Sequence, residues 1–269
     1  MKFDLFISDY DGTLGNAPAN DIDAETLASI KEYQKRGGKF VVCSGREYRS
    51  IKKILTAQGL DGLCVCLQGA LAVDLSTDKV LYNHGLEMQY ALEALRIMPK
   101  ELQPMAYYKE LFYVDKNQKD FSLYEFYASR VELEYGKADL EELILKKGSP
   151  NKLGWLGDPE LILKMQKEMN EKFGGKHLSF NSGASMLLEA INPVFDKGNA
   201  VRFLADYFSI PMDRIIAVGD STNDIPLVNG EWHGVAVGDG KEELKAVAKE
   251  IAPPFDQKPI KYLLEKYCI

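Results

Sequence analysis

Four short clusters of polar residues follow apolar stretches of the chain, and their side chains are of kinds that can hold a cation or an anion. In the first cluster, residues 9–13, the carboxylates of Asp9 and Asp11 stand two positions apart beside Gly12. In a tight turn such a pair can point into one site, and a glycine lets the backbone fold closely around what they hold. A plain β-hairpin with an Asp-Gly turn is the alternative.

The other three clusters lie further along the chain. Ser44, followed by Gly45 and Arg46, falls at a strand-to-helix turn. There a hydroxyl and backbone N–H groups form a natural phosphate cradle, unless Ser44 is only the helix N-cap. Lys197 stands at the start of a helix and can direct its ammonium at an anion, or it can be a solvated surface charge. Residues 219–224 place several polar side chains directly after a strand.

The segments around these clusters alternate between strands and helices. We predict strands over residues 3–8, 39–43, 63–67, 215–218 and 234–237, and helices over residues 24–36, 46–58, 198–208 and 242–249. This alternation is typical of an α/β fold with a parallel sheet and right-handed crossovers. Because ligands bind beyond the carboxyl ends of such strands, we expect Asp9, Ser44, Gln68 and Asp220 to converge on one rim.

The middle of the chain has a different pattern. Half-exposed antiparallel strands are predicted within residues 105–115, 152–157 and 177–192, with helices over residues 87–97 and 159–173. We therefore predict that residues 1–82 and 191–269 form the α/β core and that residues 83–190 form an inserted α+β domain. Turn-forming residues at 83–85 and 192–193 would be its hinges.

Composition excludes several classes of protein. The 269 residues are 46% hydrophobic and 27% charged, which is the balance of an ordinary globular chain, and the net charge of −7 disfavours nucleic acid and anionic membranes as partners. The sequence has neither a signal-like apolar segment nor a membrane-spanning one, so we expect a cytoplasmic protein. We also expect a monomer or weak dimer. Four scattered cysteines and three scattered histidines make a zinc enzyme a poor interpretation.

Together, and in this order, the four clusters resemble the motifs of the haloacid dehalogenase (HAD) superfamily, and within it the Cof-type phosphatases with a large α/β (C2-type) cap. The matching segments are DYDGTL, VVCSGR with Ser44, Lys197, and GDSTND. The resemblance implies a Rossmann-like parallel-sheet core with an inserted α+β cap domain. It also implies a magnesium-dependent phosphatase that hydrolyses small phosphate monoesters, such as sugar phosphates, pyridoxal phosphate or FMN.

The same resemblance implies roles for individual residues. Asp9 would be the nucleophile that forms an aspartyl phosphate, and Asp11 would be the general acid and base. Mg²⁺ would be bound by the Asp9 carboxylate, the Asp11 main-chain carbonyl and Asp220. Asp224 would orient Lys197 or a metal-bound water.

Further residues would hold the phosphate group. Lys197 would bridge Asp9 and the phosphate, while Ser44, the Gly45 amide and Asn223 would bind its non-bridging oxygens. Arg46 is left without a role.

The chain departs from its relatives at two positions near the expected rim. Gln68 replaces the usual Asn after the third strand, which puts a substrate contact there in doubt, and Asp239 replaces a usual Asn, adding a carboxylate. Two other functions stay open: a phosphosugar mutase of the same cap class and a non-catalytic phospholigand-binding protein. A cluster of arginines in the insert would favour the mutase, yet Arg96 and Arg130 stand alone.

Aromatic residues are dense between positions 107 and 127. They could line a sugar or a flat cofactor, or alternate ones could form the core of the inserted domain itself. The set comprises Tyr107, Tyr108, Phe112, Tyr113, Phe121, Tyr124, Phe126 and Tyr127.

Overall fold

A computed structural model of the chain describes residues 1–15, 21–109, 111–131, 134–184 and 186–269. The chain divides into two compact units. Unit 1 comprises residues 1–46, 51–82 and 195–269, and unit 2 comprises residues 47–50 and 83–194. The role of residues 83–190 as a cap domain stays a prediction.

The described residues form strands and helices in the following order. The strands are β1 Leu5–Ser8, β2 Lys39–Cys43, β3 Leu63–Cys66, β4 Leu71–Asp74, β5 Val80–Asn83, β6 Gln103–Tyr107, β7 Phe112–Asp115, β8 Tyr135–Ala138, β9 Lys152–Leu156, β10 Ser179–Ala184, β11 Leu187–Ile191, β12 Ile215–Gly219, β13 His233–Ala236 and β14 Glu250–Ile251. The helices are α1 Ala24–Lys35, α2 Tyr48–Ala57, α3 Met88–Ile97, α4 Ser122–Val131, α5 Leu140–Lys147, α6 Pro159–Phe173, α7 Lys197–Phe208, α8 Ile225–Val228, α9 Glu242–Lys245 and α10 Pro259–Tyr267.

Unit 1 is built on an eight-stranded sheet with the order β14-β13-β12-β1-β2-β3-β4-β5. The strands from β14 to β3 are parallel, and β4 turns back antiparallel to β3. β1, β3 and β12 are buried along their whole length. Strands that are covered on both faces need apolar side chains on both, which explains why these segments are almost entirely apolar. The predicted α/β class with a parallel-sheet core is confirmed.

One predicted helix of unit 1 is too long. The helix expected over residues 242–249 ends at Lys245. The chain must turn there because the Lys249 amide donates to the Gly234 carbonyl at 2.9 Å, at the start of the segment that pairs β14 with β13. The Lys249 ammonium also binds the carbonyl oxygens of residues 230–232, which fixes the turn.

Unit 2 contains a six-stranded sheet with the order β10-β11-β9-β6-β7-β8. Its strands are antiparallel except for the pair β7 and β8, and the predicted strands within residues 105–115, 152–157 and 177–192 are present. One face of the sheet, including Trp155 and Phe180, forms a separate core with residues of α3, α5 and α6. Unit 2 therefore has its own α+β architecture.

Burial decides how several other residues are interpreted. Cys43, Cys64 and Cys66 are buried in strands, as predicted, and Cys268 is buried after α10. Four of the aromatic residues between 107 and 127 are buried in unit 2, namely Tyr107, Tyr108, Phe112 and Tyr124, whereas Phe126 is half exposed.

Within the described part of the chain, no helix has the length and apolar character needed to cross a membrane.

Candidate active site

The order of the sheet brings the predicted clusters together. β12, β1 and β2 are adjacent and parallel, and Ser8 is in register with both Val218 and Val42. Asp9, Ser44 and Asp220 follow these three strands, so they leave the sheet at one edge. β1 has parallel partners on both sides, which rules out the plain hairpin as its structure.

Three carboxylates form the centre of this edge. Asp9, Asp220 and Asp224 each offer one oxygen, and these oxygens lie within 4.8 Å of one another. Asp9 and Asp224 are buried. Such a set of oxygen donors is the kind that Mg²⁺ prefers.

Lys197 lies between two of these carboxylates. Its Nζ is 2.7 Å from Asp9 Oδ1 and 2.6 Å from Asp224 Oδ1, and the side chain is 1% exposed. It begins α7, whose N-cap Asp196 accepts a hydrogen bond from the Asn199 amide. The alternative of a solvated surface charge is therefore wrong.

The ionisation of these groups reflects their burial and proximity. Burial, followed by the Asp224 carboxylate, raises the pKa of Asp9 well above its usual value, against the opposing effect of Lys197. The same two causes raise the pKa of Asp220 to about 6. Burial favours deprotonation of Lys197, but the carboxylates of Asp224 and Asp9 outweigh it and raise the pKa of its ammonium.

The charges of this group do not balance. Three carboxylates face one ammonium, so the fully ionised set carries a net charge of about −2 in a buried setting. A divalent cation bound next to these groups would cancel that charge. Donor chemistry and charge both fit the magnesium ion that the family resemblance implies.

Asp224 connects the groups of this cluster through its two carboxylate oxygens. Its Oδ2 accepts hydrogen bonds from the amides of Asp220 and Ser221, each at 3.1 Å, while its Oδ1 binds Lys197. Both oxygens thus have partners within the protein, and the residue is fully buried. This arrangement suits the predicted orienting role.

Gly12 is required by the close approach of Asp220. Its φ is +75°, and a Cβ at this position would lie 2.6 Å from Asp220 Oδ2. The turn is closed by the Tyr10 carbonyl, which accepts from the amides of Leu14 and Gly15. Thr13 Oγ1 donates to Asp220 Oδ1 at 3.1 Å, so the first cluster also orients the Asp220 carboxylate.

Asp11 has a different environment from the other carboxylates. Both of its oxygens are bound by Arg46, with Nη2 to Oδ1 at 2.6 Å and Nε to Oδ2 at 2.8 Å. The guanidinium also lies over the Tyr10 ring, 5.1 Å from its centre. The sequence analysis assigned no role to Arg46. Its position directly after Ser44 and Gly45, at the same edge of the sheet as Asp11, was the feature of the sequence that could have indicated this contact.

The remaining predicted residues lie along the same edge. The Ser44 hydroxyl is buried and accepts from the Arg46 amide at 3.1 Å, a contact of the N-cap kind, so its phosphate role stays a prediction. Asn223 is exposed and donates from Nδ2 to Gln68 Oε1 at 3.2 Å. The Gly45 backbone lies against Gln68, because a Cβ on Gly45 would overlap the end of that side chain.

The extra carboxylate of Asp239 serves the local backbone. Its Oδ1 accepts from the Phe255 amide at 2.9 Å. Its neighbours also support the site, since the Lys241 amide donates to the Asp220 carbonyl at 2.8 Å. This loop therefore fixes the backbone of Asp220.

Comparisons with known proteins agree with this geometry. The model of the family described as haloacid dehalogenase-like hydrolase matches residues 6–264. A "Putative phosphatase" of Haemophilus influenzae is 27% identical over 271 residues, covering 99% of this chain and 98% of that protein. A crystal structure from Thermotoga maritima has a TM-score of 0.83 at 22% identity, covering 98% of this chain and 97% of that one. A HAD subclass IIB sugar phosphatase has a TM-score of 0.80 at 17% identity, covering 98% of each chain.

Proposed function

Because the chain belongs to the haloacid dehalogenase-like hydrolase family, we propose that it is a magnesium-dependent phosphatase that works through an aspartyl phosphate. It is an enzyme, a hydrolase of phosphoric monoester bonds. The observation that carries the finer proposal is the buried Lys197, held between Asp9 and Asp224 with Asp220 beside them. Phosphate monoesters hydrolyse extremely slowly in water, so such a site must act through positioning and electrostatics.

Asp9 would attack phosphorus and form an acyl phosphate, as the ester P–O bond breaks. Lys197 fixes one oxygen of its carboxylate, which leaves the other for the attack. Asp11 would give a proton to the leaving alkoxide and then take one from the water that cleaves the acyl phosphate. Because Arg46 binds both oxygens of Asp11, that carboxyl has to turn away from Arg46 to reach the leaving group.

The metal would be held by the Asp9 carboxylate, the Asp11 main-chain carbonyl and Asp220. When bound, Mg²⁺ supplies positive charge that lets a carboxylate approach a phosphate dianion. Asp224 has its oxygens committed to Lys197 and two amides, which supports an orienting role for it.

The phosphate oxygens would be bound by Lys197, Ser44, the Gly45 amide and Asn223. These groups come from different segments of unit 1 and lie along the edge where the strands end. Preorganised donors of this kind stabilise the charge that develops in the transition state.

The substrate would be a small phosphate monoester, either a sugar phosphate or a phosphorylated cofactor such as pyridoxal phosphate or FMN. The structural neighbour described as a sugar phosphatase supports the first class. Residues 83–190 would act as the cap domain that selects the leaving group.

The mutase alternative is less well supported, because the insert would need cations for a second phosphate. In unit 2, Arg96 forms an ion pair with Glu141 at 2.6 Å. The guanidinium of Arg130 lies over the Phe126 ring, 5.6 Å from its centre. Among the described residues, these arginines thus contact a carboxylate and an aromatic ring, respectively.

A phosphate-release screen tests the proposal. Wild type, Asp9→Asn and the exposed control Asp61→Asn would be assayed on sugar phosphates, pyridoxal phosphate, FMN and bisphosphates, each with Mg²⁺ and with EDTA. We expect magnesium-dependent release by wild type and the control, and none by Asp9→Asn. Full activity of Asp9→Asn would disprove the mechanism. Binding of a phosphosugar by wild type without any release would favour the non-catalytic alternative.

A further inference from the structure

The turn after β3 holds two consecutive residues in a left-handed backbone conformation. Leu67 has a φ of +54°, and Gln68 has a φ of +61° with a ψ of 25°. Residues with a Cβ rarely adopt this conformation, and it persists only where the surrounding structure enforces it. The other described non-glycine residues with positive φ occur singly, in a turn at Asp78 and next to helix ends at Ser209 and Lys258.

Backbone contacts bind this turn to two other segments of the site. The Leu67 amide donates to the Arg46 carbonyl at 3.0 Å, and the Gln68 amide donates to the Ser44 carbonyl at 3.2 Å. Gly69 packs so closely on the peptide between Asp196 and Lys197 that a Cβ would overlap the Asp196 carbonyl oxygen. The strained turn is thus fixed both to the Ser44 loop and to the start of α7.

The side chain of Gln68 connects two proposed phosphate-binding groups. Its Oε1 accepts a hydrogen bond from Asn223 Nδ2 at 3.2 Å. Its Nε2 lies against Gly45, where a Cβ would overlap it. One N–H of the Asn223 amide is therefore used by Gln68, and an amide nitrogen has a second N–H that can donate to an anion.

We propose that Gln68 is a positioning residue that holds the Asn223 amide with an N–H toward the substrate phosphate, an inference that rests on the proposed function. Gln68 itself does not touch the reacting atoms. Its length matters, because an asparagine at this position is one methylene shorter and does not reach Asn223.

Two substitutions separate this role from a structural one. Gln68→Asn keeps an amide and a residue that tolerates positive φ, and Gln68→Gly removes both the amide and the backbone strain. If the side chain served only the fold, Gln68→Gly would leave kinetics unchanged. Ser209→Gly, which relieves the same strain at the end of α7, is the matched control.

The readouts are KM, kcat, melting temperature and the Kd of inorganic phosphate measured calorimetrically with Mg²⁺. Loss of one hydrogen bond to Asn223 should raise KM and Kd about 5- to 10-fold, with kcat changing less because the contact exists before and during the reaction. Melting temperatures should be unchanged for Gln68→Asn and unchanged or higher for Gln68→Gly. Ser209→Gly should match wild type in kinetics.

A double-mutant cycle with Asn223→Ala completes the experiment. If Gln68 acts through Asn223, either Gln68 substitution should add nothing to the loss caused by Asn223→Ala. Wild-type KM and Kd in both Gln68 variants, or losses that add to that of Asn223→Ala, would overturn the inference.

The phosphate titration separates this inference from the proposed function. If wild type released no phosphate from any ester yet bound inorganic phosphate, the proposed function would fail while the Kd values still tested Gln68. If wild type neither released phosphate from any ester nor bound inorganic phosphate, both would be overturned.

Discussion

The pKa of Asp220 lies close to the neutral range of pH. Burial and the Asp224 carboxylate raise its pKa to about 6, from a usual value of 3.8. A group whose pKa is raised on folding stabilises the fold while protonated, so the metal-free protein should lose stability as pH rises through 6. Magnesium binding needs the ionised form, so its stabilising effect should grow over the same range.

We therefore predict that the melting temperatures with Mg²⁺ and with EDTA diverge between pH 5 and pH 8. Differential scanning fluorimetry across this range measures the gap directly. In Asp220→Asn the gap should be small and should lose its dependence on pH near 6. A gap of constant size in wild type would contradict the assignment of Asp220 as a ligand.

Asp11, the proposed general acid, is bound by the guanidinium of Arg46. Asp11→Asn removes proton donation to the alkoxide and proton removal from water, and the loss of general acid–base catalysis typically costs about 10²- to 10⁴-fold in rate. p-Nitrophenolate leaves without a proton. On p-nitrophenyl phosphate we therefore expect Asp11→Asn to release one equivalent of p-nitrophenolate in a burst, followed by very slow turnover.

Stopped-flow absorbance measures this burst, and Asp9→Asn, which has no nucleophile, should give none. Equal rates for wild type and Asp11→Asn on an alkyl phosphate would refute the acid–base role of Asp11.

These residues also show the reach of sequence reasoning. Asp220 could be placed because it follows a predicted parallel strand, so sheet topology brings it near Asp9, whereas the position of Lys197 beside Asp9 came from the family resemblance. The pairing of Arg46 with Asp11 could not be predicted, because it depends on side-chain directions in two separate loops. The bridge from Gln68 to Asn223 was missed for the same reason.

At the scale of elements, Glu250 connects three parts of the sheet edge in unit 1. This residue of β14 accepts from Tyr267 and Lys266 at the end of the chain, and His233 of β13 lies 2.8 Å away. Burial opposes its ionisation, but hydrogen bonds from Lys266, His233 and Tyr267 outweigh burial and lower the pKa of Glu250 below its usual 4.5. Its contribution to stability is therefore present above pH 4.5 and is lost as pH falls below that value.

We predict that Glu250→Gln lowers the free energy of unfolding by about 1–2 kcal/mol at pH 7, the worth of hydrogen bonds to a charged group. Urea denaturation at several pH values measures it, and the difference from wild type should shrink below pH 4.5. The exposed Glu265→Gln of α10 is the control and should change stability by less than about 0.5 kcal/mol. A loss for Glu250→Gln that is independent of pH would contradict this account.

Elements were predictable where local chemistry determines them. β2 begins and ends as predicted because an apolar, β-branched run is bounded by Gly38 and Ser44. β4 was missed, since the chain reverses at the strained Leu67–Gly69 turn and no local signal shows that Leu71–Asp74 returns along β3. Helix α9 is short because the residues that follow it lead into β14, which pairs with β13.

At the scale of the whole molecule, each unit contains one of the two tryptophans. Trp155 lies in the core of unit 2, and Trp232 lies in that of unit 1, where its Nε1 donates to the Leu227 carbonyl at 2.6 Å. Both side chains are 1% exposed, so their fluorescence should change when the surrounding core unfolds. The variants Trp155→Phe and Trp232→Phe then report on one unit each.

We predict that Mg²⁺ raises the thermal midpoint reported by Trp232 more than the midpoint reported by Trp155. The proposed ligands all lie in unit 1, and a ligand stabilises the unit that binds it. Fluorescence melts with Mg²⁺ and with EDTA provide the comparison, with wild type as the reference. Equal shifts in both variants would show that the two units unfold as one.

The strand order of unit 1 has a consequence for synthesis on the ribosome. β1 is complete at Ser8, but one of its two partners, β12, begins only at Ile215. At about 5 to 20 residues per second, one edge of β1 stays without its native partner for roughly 10 to 40 s. An exposed strand edge invites wrong pairing, so nascent chains of this protein should depend on chaperones until β12 emerges, and no active centre can exist before then.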